Sequence, residues 1–139
     1  MIKQLSVFIE NKPGRLADMM DSISDAGINV HALSIADTTD FGILRLIVDD
    51  AESAKEILKE QGFTVKVTDV LAVALAHKPG SLAQILRELG DAGASIEYIY
   101  ASTNRGATHD AMAIISLGNP AKVLAKVPNI KMLTQADII

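Results

Sequence analysis

The sequence predicts an α+β fold built from two copies of one β-α-β-β-α-β unit. One observation is a repeat that keeps register over both halves. The other is a shared order of strand-like and helix-like apolar spacing within each half. Lys12-Pro13-Gly14-Arg15-Leu16-Ala17 returns as Lys78-Pro79-Gly80-Ser81-Leu82-Ala83, 66 residues later (78 − 12). Asp25-Ala26-Gly27 returns as Asp91-Ala92-Gly93 at the same shift. The apolar skeleton follows: Leu16, Met19, Met20 and Ile23 become Leu82, Ile85, Leu86 and Leu89, and Leu5, Val7 and Ile9 become Leu71, Val73 and Leu75. Self-similarity at a fixed shift marks a repeated structural unit. The halves are read as residues 1–69 and 70–139.

Each element has a local reason. Lys3–Glu10 alternates apolar and polar residues, with Leu5, Val7 and Ile9 on one face, as a half-buried strand does. Pro13-Gly14 interrupts it. Arg15–Ala26 then sets Leu16, Met19, Met20 and Ile23 at helical spacing, forming one apolar stripe. Gly27 suits the left-handed residue just beyond a helix end. Ile28–Ala36 and Ile43–Val48 are β-rich runs joined by a hairpin connection over 37–42. Asp50 suits the N-cap of a second helix running through Gln61, and Phe63–Val67 closes the half as a strand. The second half repeats this order, with Asn119-Pro120 as cap and first helical residue. Its hairpin around Thr103–His109 is about three residues longer, since the shift there grows to 69 (119 − 50).

This order is the ferredoxin-like plan, an antiparallel four-stranded sheet with both helices on one face. The closing strand of the first half runs into the opening strand of the second through Thr68-Asp69, so packed halves are expected. Opposite Leu71, Val73 and Leu75 stand Ala72, Ala74 and Ala76. That small apolar row suits close burial by association of sheet faces or edges, with packing inside the half as the alternative. A homodimer or higher homo-oligomer is the expected state.

Composition removes several function classes. Apolar residues make up 49% of 139, enough for a real core. Cys is absent, which excludes disulfides, thiol nucleophiles and Cys-based zinc sites and suits a reducing cytoplasm. The start, Met1-Ile2-Lys3-Gln4-Leu5, has no basic segment followed by an apolar run, so a cytoplasmic protein is expected. No stretch approaches about 18 uninterrupted apolar residues, so no membrane span is expected. A net charge of −4 with 4% aromatics argues against nucleic acid, whose readers need basic surfaces or stacking aromatics. His31, His77 and His109 have no carboxylate at metal-site spacing and read as surface residues. No metal and no cofactor are expected. Nucleophile-elbow, phosphate-loop and dinucleotide motifs are also missing, so no catalytic residue is assigned.

The loop between the first strand and first helix is where a ligand would meet useful chemistry. Pro13-Gly14 turns the chain so that the helix start presents unpaired N–H groups, which with the helix dipole suit a carboxylate. Gly14 permits close approach to the backbone. Asn11 offers an amide donor and a carbonyl acceptor, and Asn29, opening the next strand, offers a second amide. A zwitterionic amino acid needs both kinds of partner. By spacing alone the same residues also read as a plain turn and a residue following a helix end.

Glu10-Asn11-Lys12-Pro13-Gly14-Arg15-Leu16, with Asp25-Ala26-Gly27-Ile28-Asn29-Val30 downstream, resembles the ACT-domain signature over nearly the whole chain. It is closest to stand-alone tandem ACT proteins, whose first halves carry runs like Ala36-Asp37 and Asp40-Phe41-Gly42-Ile43-Leu44-Arg45. The resemblance implies a small-molecule sensor of amino-acid metabolism with ligand at the Pro-Gly loop, usually where two domains associate. By that resemblance the ligand-binding set is Asn11, Lys12, Pro13, Gly14, Arg15, Leu16, Asn29 and Val30, with His77, Pro79 and Gly80 in the second half.

The second half puts His77 where Asn11 stands and Ser95 where Asn29 stands, which removes the paired amides. The first half is therefore the better candidate, with a composite site between halves as the alternative. Glu97, Tyr98 and Tyr100 also suit either a site wall or strand packing. The leading function is a non-catalytic, amino-acid-binding regulatory protein. The alternatives are a regulatory subunit or interaction module for an enzyme such as acetolactate synthase, or a small enzyme using His77 or Tyr100.

Overall fold

The computed structural model describes residues 1–37, 40–103, 105–106 and 109–139. In chain order its elements are β1 (Ile2–Glu10), α1 (Arg15–Asp25), β2 (Val30–Asp37), β3 (Phe41–Val48), α2 (Ala51–Glu60) and β4 (Thr64–Leu75). They continue with α3 (Ser81–Asp91), β5 (Ile96–Ser102), β6 (Ala111–Leu117), α4 (Pro120–Leu124) and α5 (Gln135–Ile138). Of the two expected hairpin connections, Thr38 and Thr39 in the first and Asn104, Ala107 and Thr108 in the second lie outside the described residues. By backbone contacts the chain divides into two compact units, Lys3–Thr68 and Asp69–Ile139 together with Met1–Ile2. β4 begins in the first and ends in the second.

In the first unit the strands lie in the order β2-β3-β1-β4. β3 pairs antiparallel with both β1 and β2, matching Leu5 with Leu46, Val7 with Leu44 and Leu33 with Leu46. The period-2 pattern read in β1 thus becomes one buried face. Leu5, Val7, Leu44 and Leu46 pack with Met19 and Ile23 of α1 and Ala54 and Leu58 of α2, so both helices cover the same side. Asp50 caps α2 as its position suggests: Oδ1 accepts from the Ser53 amide at 3.1 Å and Oδ2 from the Ser53 hydroxyl at 2.6 Å. The apolar stripe of α1 is narrower than its spacing implies. Met19 and Ile23 are buried and Met20 half-buried, but Leu16 remains 38% exposed at the helix start.

The second unit has the order β4-β6-β5, with Leu71 facing Ile115 and Ile115 facing Ile99. Its core joins Leu71, Val73, Ala113 and Ile115 to Leu89 of α3 and Val123 of α4. It departs from a full repeat after β6. α4 has only five residues, because Pro128 follows: it donates no backbone hydrogen bond, and in a continued helix its ring would meet the Leu124 carbonyl. The closing strand shrinks to a single bridge between Met132 and Val73. Two bonds flank that bridge, from the Ala74 amide to the Lys131 carbonyl at 2.9 Å and from the Leu133 amide to the Ala72 carbonyl at 2.7 Å. These residues run beside the alanine row of β4. Ala72 is buried and Ala74 half-buried, while Ala76 is exposed. Both units are α+β, with antiparallel strand pairing and helices on one sheet face.

Candidate functional site

The two Pro-Gly loops fold alike. After β1 the Lys12 amide donates to the Glu10 carbonyl at 2.9 Å and the Arg15 amide to the Lys12 carbonyl at 3.2 Å. After β4 the Lys78 amide donates to the Ala76 carbonyl at 2.9 Å and the Ser81 amide to the Lys78 carbonyl at 3.4 Å. Gly14 (φ 79°) and Gly80 (φ 89°) occupy the N-cap positions of α1 and α3 in the left-handed region, where any other residue would be strained. Neither helix has a side-chain cap, so the first-turn amides that follow those of Arg15 and Ser81 have no capping side chain. A Cβ at either glycine would meet nothing within 4 Å. The need for glycine comes from φ, and the space above it is open.

A cleft borders each loop. In the first unit a cavity of about 120 Å³ lies between Asn11 and Lys12 of the loop, Leu16 of α1, and Ile35 and Asp37 at the end of β2. In the second unit a cavity of about 210 Å³ lies between His77 and Lys78, Leu82 of α3, and Ala101 and Thr103. These residues correspond pairwise at the 66-residue shift, so one cleft recurs in both units. Leu16 and Leu82 form its rim and are exposed.

Electrostatics differ between the two. Lys12 Nζ lies 2.8 Å from Glu10 Oε2 beside the first cleft, and that ammonium holds the Glu10 carboxyl below its ordinary range, first by the hydrogen bond and then by charge. The Arg15 guanidinium lies over the Phe63 ring, 4.1 Å from its centroid. Asn11 is exposed, with its amide donating to the Asp40 carbonyl at 3.0 Å. In the second cleft Ala76 replaces the carboxylate, and Ser81 Oγ is shielded from solvent without a hydrogen-bond partner among the described residues.

Asn29 and Val30 sit elsewhere. The Asn29 amide donates to Asp49 Oδ2 at 3.0 Å and its carbonyl accepts from the Asp49 amide at 3.2 Å. Val30 pairs with Val48 and packs on the core. Glu10, beside Asn11, pairs with Phe41 at the other end of β3. From Phe41 to Val48 at roughly 3.3 Å per residue is about 23 Å. Within one unit the structure therefore does not bring Asn11 and Asn29 together. Ser95 repeats the arrangement: its amide donates to Asn119 Oδ1 at 2.9 Å and its carbonyl accepts from the Gly118 amide at 2.8 Å, near Leu117 of β6. Asn119 occupies the N-cap position of α4 but makes no cap bond, because its Nδ2 also donates to the Gly93 carbonyl at 2.9 Å.

Two histidines depart from the surface reading. The His31 side chain is 11% exposed, and its Nε2 is bonded to Asp49 Oδ1. That bond, followed by the Asn29 amide, holds the Asp49 carboxyl below its ordinary range. His109 is buried, and His77 is exposed at its cleft. Glu97 accepts from the Ser116 hydroxyl at 2.8 Å. The cleft wall on that side is made instead by Ala101, Ser102 and Thr103, a role their sequence does not signal. Among the described residues no group of three or more His, Asp or Glu side chains can hold a metal ion, and no helix is long and apolar enough to cross a membrane.

Comparison with known proteins follows the same lines. Protein BT0572 of Bacteroides thetaiotaomicron superimposes with a TM-score of 0.88 at 37% identity, over 99% of this chain and 94% of that one. The regulatory subunit of aspartate kinase from Thermus thermophilus, in its ligand-free form, gives 0.63 at 21% identity over 88% of both chains. The corresponding subunit from Thermus flavus gives 0.59 at 20%, over 90% of this chain and 89% of that one. At those identities the two subunits share the fold. Comparison with curated proteins gives no match. The family model described as ACT domain pair matches residues 1–124, and the chain belongs to that family.

Proposed function

We propose that the chain is a regulatory protein that binds a free amino acid at its Pro-Gly loops and catalyses no reaction. The observation that carries this reading is the recurrence of one cleft at an uncapped helix start in both units. Residues 1–69 and 70–139 are its two domains. The ligand carboxylate meets the first-turn amides beside Gly14, and Asn11 supplies an amide to either end of the zwitterion. Lys12, Pro13, Arg15 and Leu16 shape the loop and the cleft rim, as His77, Pro79 and Gly80 do in the second domain.

Asn29 and Val30 join Asn11 in such a site only from another copy of the chain. Leu33 and Ile35 favour that arrangement, since they lie on the helix side of β2 and are 50% and 44% exposed. An edge strand with an apolar, uncovered flank suits a homodimer or higher homo-oligomer. The protein acts in the cytoplasm on this reading.

A thermal-shift screen against the common amino acids tests it. At about 100 times Kd a ligand adds roughly 2.7 kcal/mol, which moves Tm by several degrees. No shift at millimolar concentration would reject the sensor. The second reading is a regulatory subunit for an amino-acid biosynthetic enzyme, favoured by the fold shared with the two aspartate kinase regulatory subunits. Co-purification of such an enzyme with the tagged chain is its test.

A further inference from the structure

The two clefts occupy equivalent places, yet their walls differ in charge and bulk. At the 66-residue shift Glu10 becomes Ala76, Arg15 becomes Ser81, Ile35 becomes Ala101 and Asp37 becomes Thr103. The alanines that replace Glu10 and Ile35 remove charge and bulk from the second cleft, while His77 in place of Asn11 and Ala111 in place of Gly42 add some. Its volume is about 210 Å³ against about 120 Å³ in the first. The second cleft therefore has room for a larger side chain than the first.

We infer that the second cleft selects an amino acid with an aliphatic side chain larger than methyl, and that the first cleft excludes it. This rests on the reading of the Pro-Gly loops as ligand sites. Leu75, Leu82, Ala101 and Ala111 give the second cleft an apolar end, where a branched aliphatic group replaces water at a gain that grows with the area covered. Ser81 is at the other end. Its hydroxyl oxygen is sealed from solvent with no partner among the described residues, and such a group is costly until a ligand satisfies it. It stands at the first residue of α3, where a carboxylate held by the helix start accepts a hydrogen bond from it. In the first cleft the Glu10–Lys12 pair and Ile35 take up the corresponding space.

The size determinant is Ala101, on the exposed edge strand β5, where a larger residue does not disturb the core. Calorimetric titration of L-leucine and L-serine into the wild type, Ala101→Ile and Ser81→Ala decides the matter, with Tm recorded for each to confirm folding. Leucine binds the wild type at least tenfold more tightly than serine. Ala101→Ile, which restores the residue of the first cleft, weakens leucine at least tenfold and narrows its lead over serine. Ser81→Ala weakens both amino acids, about tenfold, because both carry the carboxylate. Should Ala101→Ile fail to fold, Ala76→Glu at an exposed position is the second variant and gives the same loss for leucine. If amino acids bind but leucine is indifferent to Ala101→Ile or Ala76→Glu, the assignment of the second cleft is wrong while the sensor reading stands. If no amino acid binds any form, the sensor reading fails and this inference with it.

Discussion

Asn11 and Asn29 stand at opposite ends of one antiparallel sheet, Asn11 following the residue that pairs with Phe41 and Asn29 bonded through its backbone to Asp49. Both amides contact one ligand only if two copies of the chain contribute one each. Asn11→Ala and Asn29→Ala are each expected to weaken amino-acid binding by about ten- to a hundredfold, the 1–3 kcal/mol of a buried polar group left unpaired. Co-expressed in equal amounts, the two variants should recover about one wild-type-like site in four, since random pairing makes half the dimers mixed and each mixed dimer has one intact site. Titration of the co-expressed pair checks this. No recovered sites would mean that the two residues do not share a ligand across copies.

Asn119 makes a separate prediction. Its side chain joins the Ser95 amide to the Gly93 carbonyl instead of capping α4, so it ties the start of β5 to the end of β6. Asn119→Ala is expected to cost about 1–3 kcal/mol, as two backbone groups lose their partner. Asn119→Asp, although Asp is a good N-cap residue, should not restore stability, because a carboxylate cannot donate to the Gly93 carbonyl. Urea denaturation of the two variants measures both. Full recovery with Asp would show that a helix cap is the main contribution.

How much of this was legible in sequence follows the range of each signal. Leu5, Val7 and Ile9 announce a strand, and Pro13-Gly14 its end, because period and turn chemistry are local. The repeat then transfers each element to the second half without further information. Pro128 shortens α4, and a repeat-based reading overlooks it because the first half has no counterpart. The cleft was half legible. Its loop is a contiguous motif, but Ile35 and Ala101 come from strands some twenty residues away, and nothing in their own neighbourhood marks them. His31 is the same case. No carboxylate lies within four residues of it, and only the pairing of β2 with β3 delivers Asp49.

That His31–Asp49 contact sets a pH dependence. The Asp49 carboxyl is lowered first by the bond from His31 and then by the Asn29 amide. A carboxyl lowered on folding contributes stability that is full above its unfolded pKa and lost as pH falls through the lower folded one. The Asp49 side chain is 32% exposed, so the contribution is partly screened and modest. Asp49→Ala should therefore be less stable than the wild type at neutral pH, and the gap should close below about pH 4. Paired denaturation curves from pH 7 to pH 3 report it. A gap that stays constant over that range would remove the ionised carboxylate as its cause.

The start of α1 separates stability from binding within a single turn. Leu16 and Met19 fall on the same apolar stripe by spacing, but Leu16 is 38% exposed at the cleft rim whereas Met19 is 0% exposed in the core. Met19→Ala removes a fully buried side chain and leaves a cavity among Val7, Leu44 and their neighbours, at an expected cost of about 2–5 kcal/mol. Leu16→Ala removes atoms that already meet water, so its cost should stay within about 1 kcal/mol. The order reverses for the ligand. Leu16→Ala strips apolar area from the rim of the first cleft and should weaken an amino acid held there several-fold, while Met19→Ala, assayed at a temperature where it remains folded, should bind as the wild type does. Urea denaturation and calorimetric titration of both variants give the four numbers needed. Equal stability losses at the two positions would put Leu16 in the core after all, and unchanged affinity in Leu16→Ala would move the ligand away from this rim.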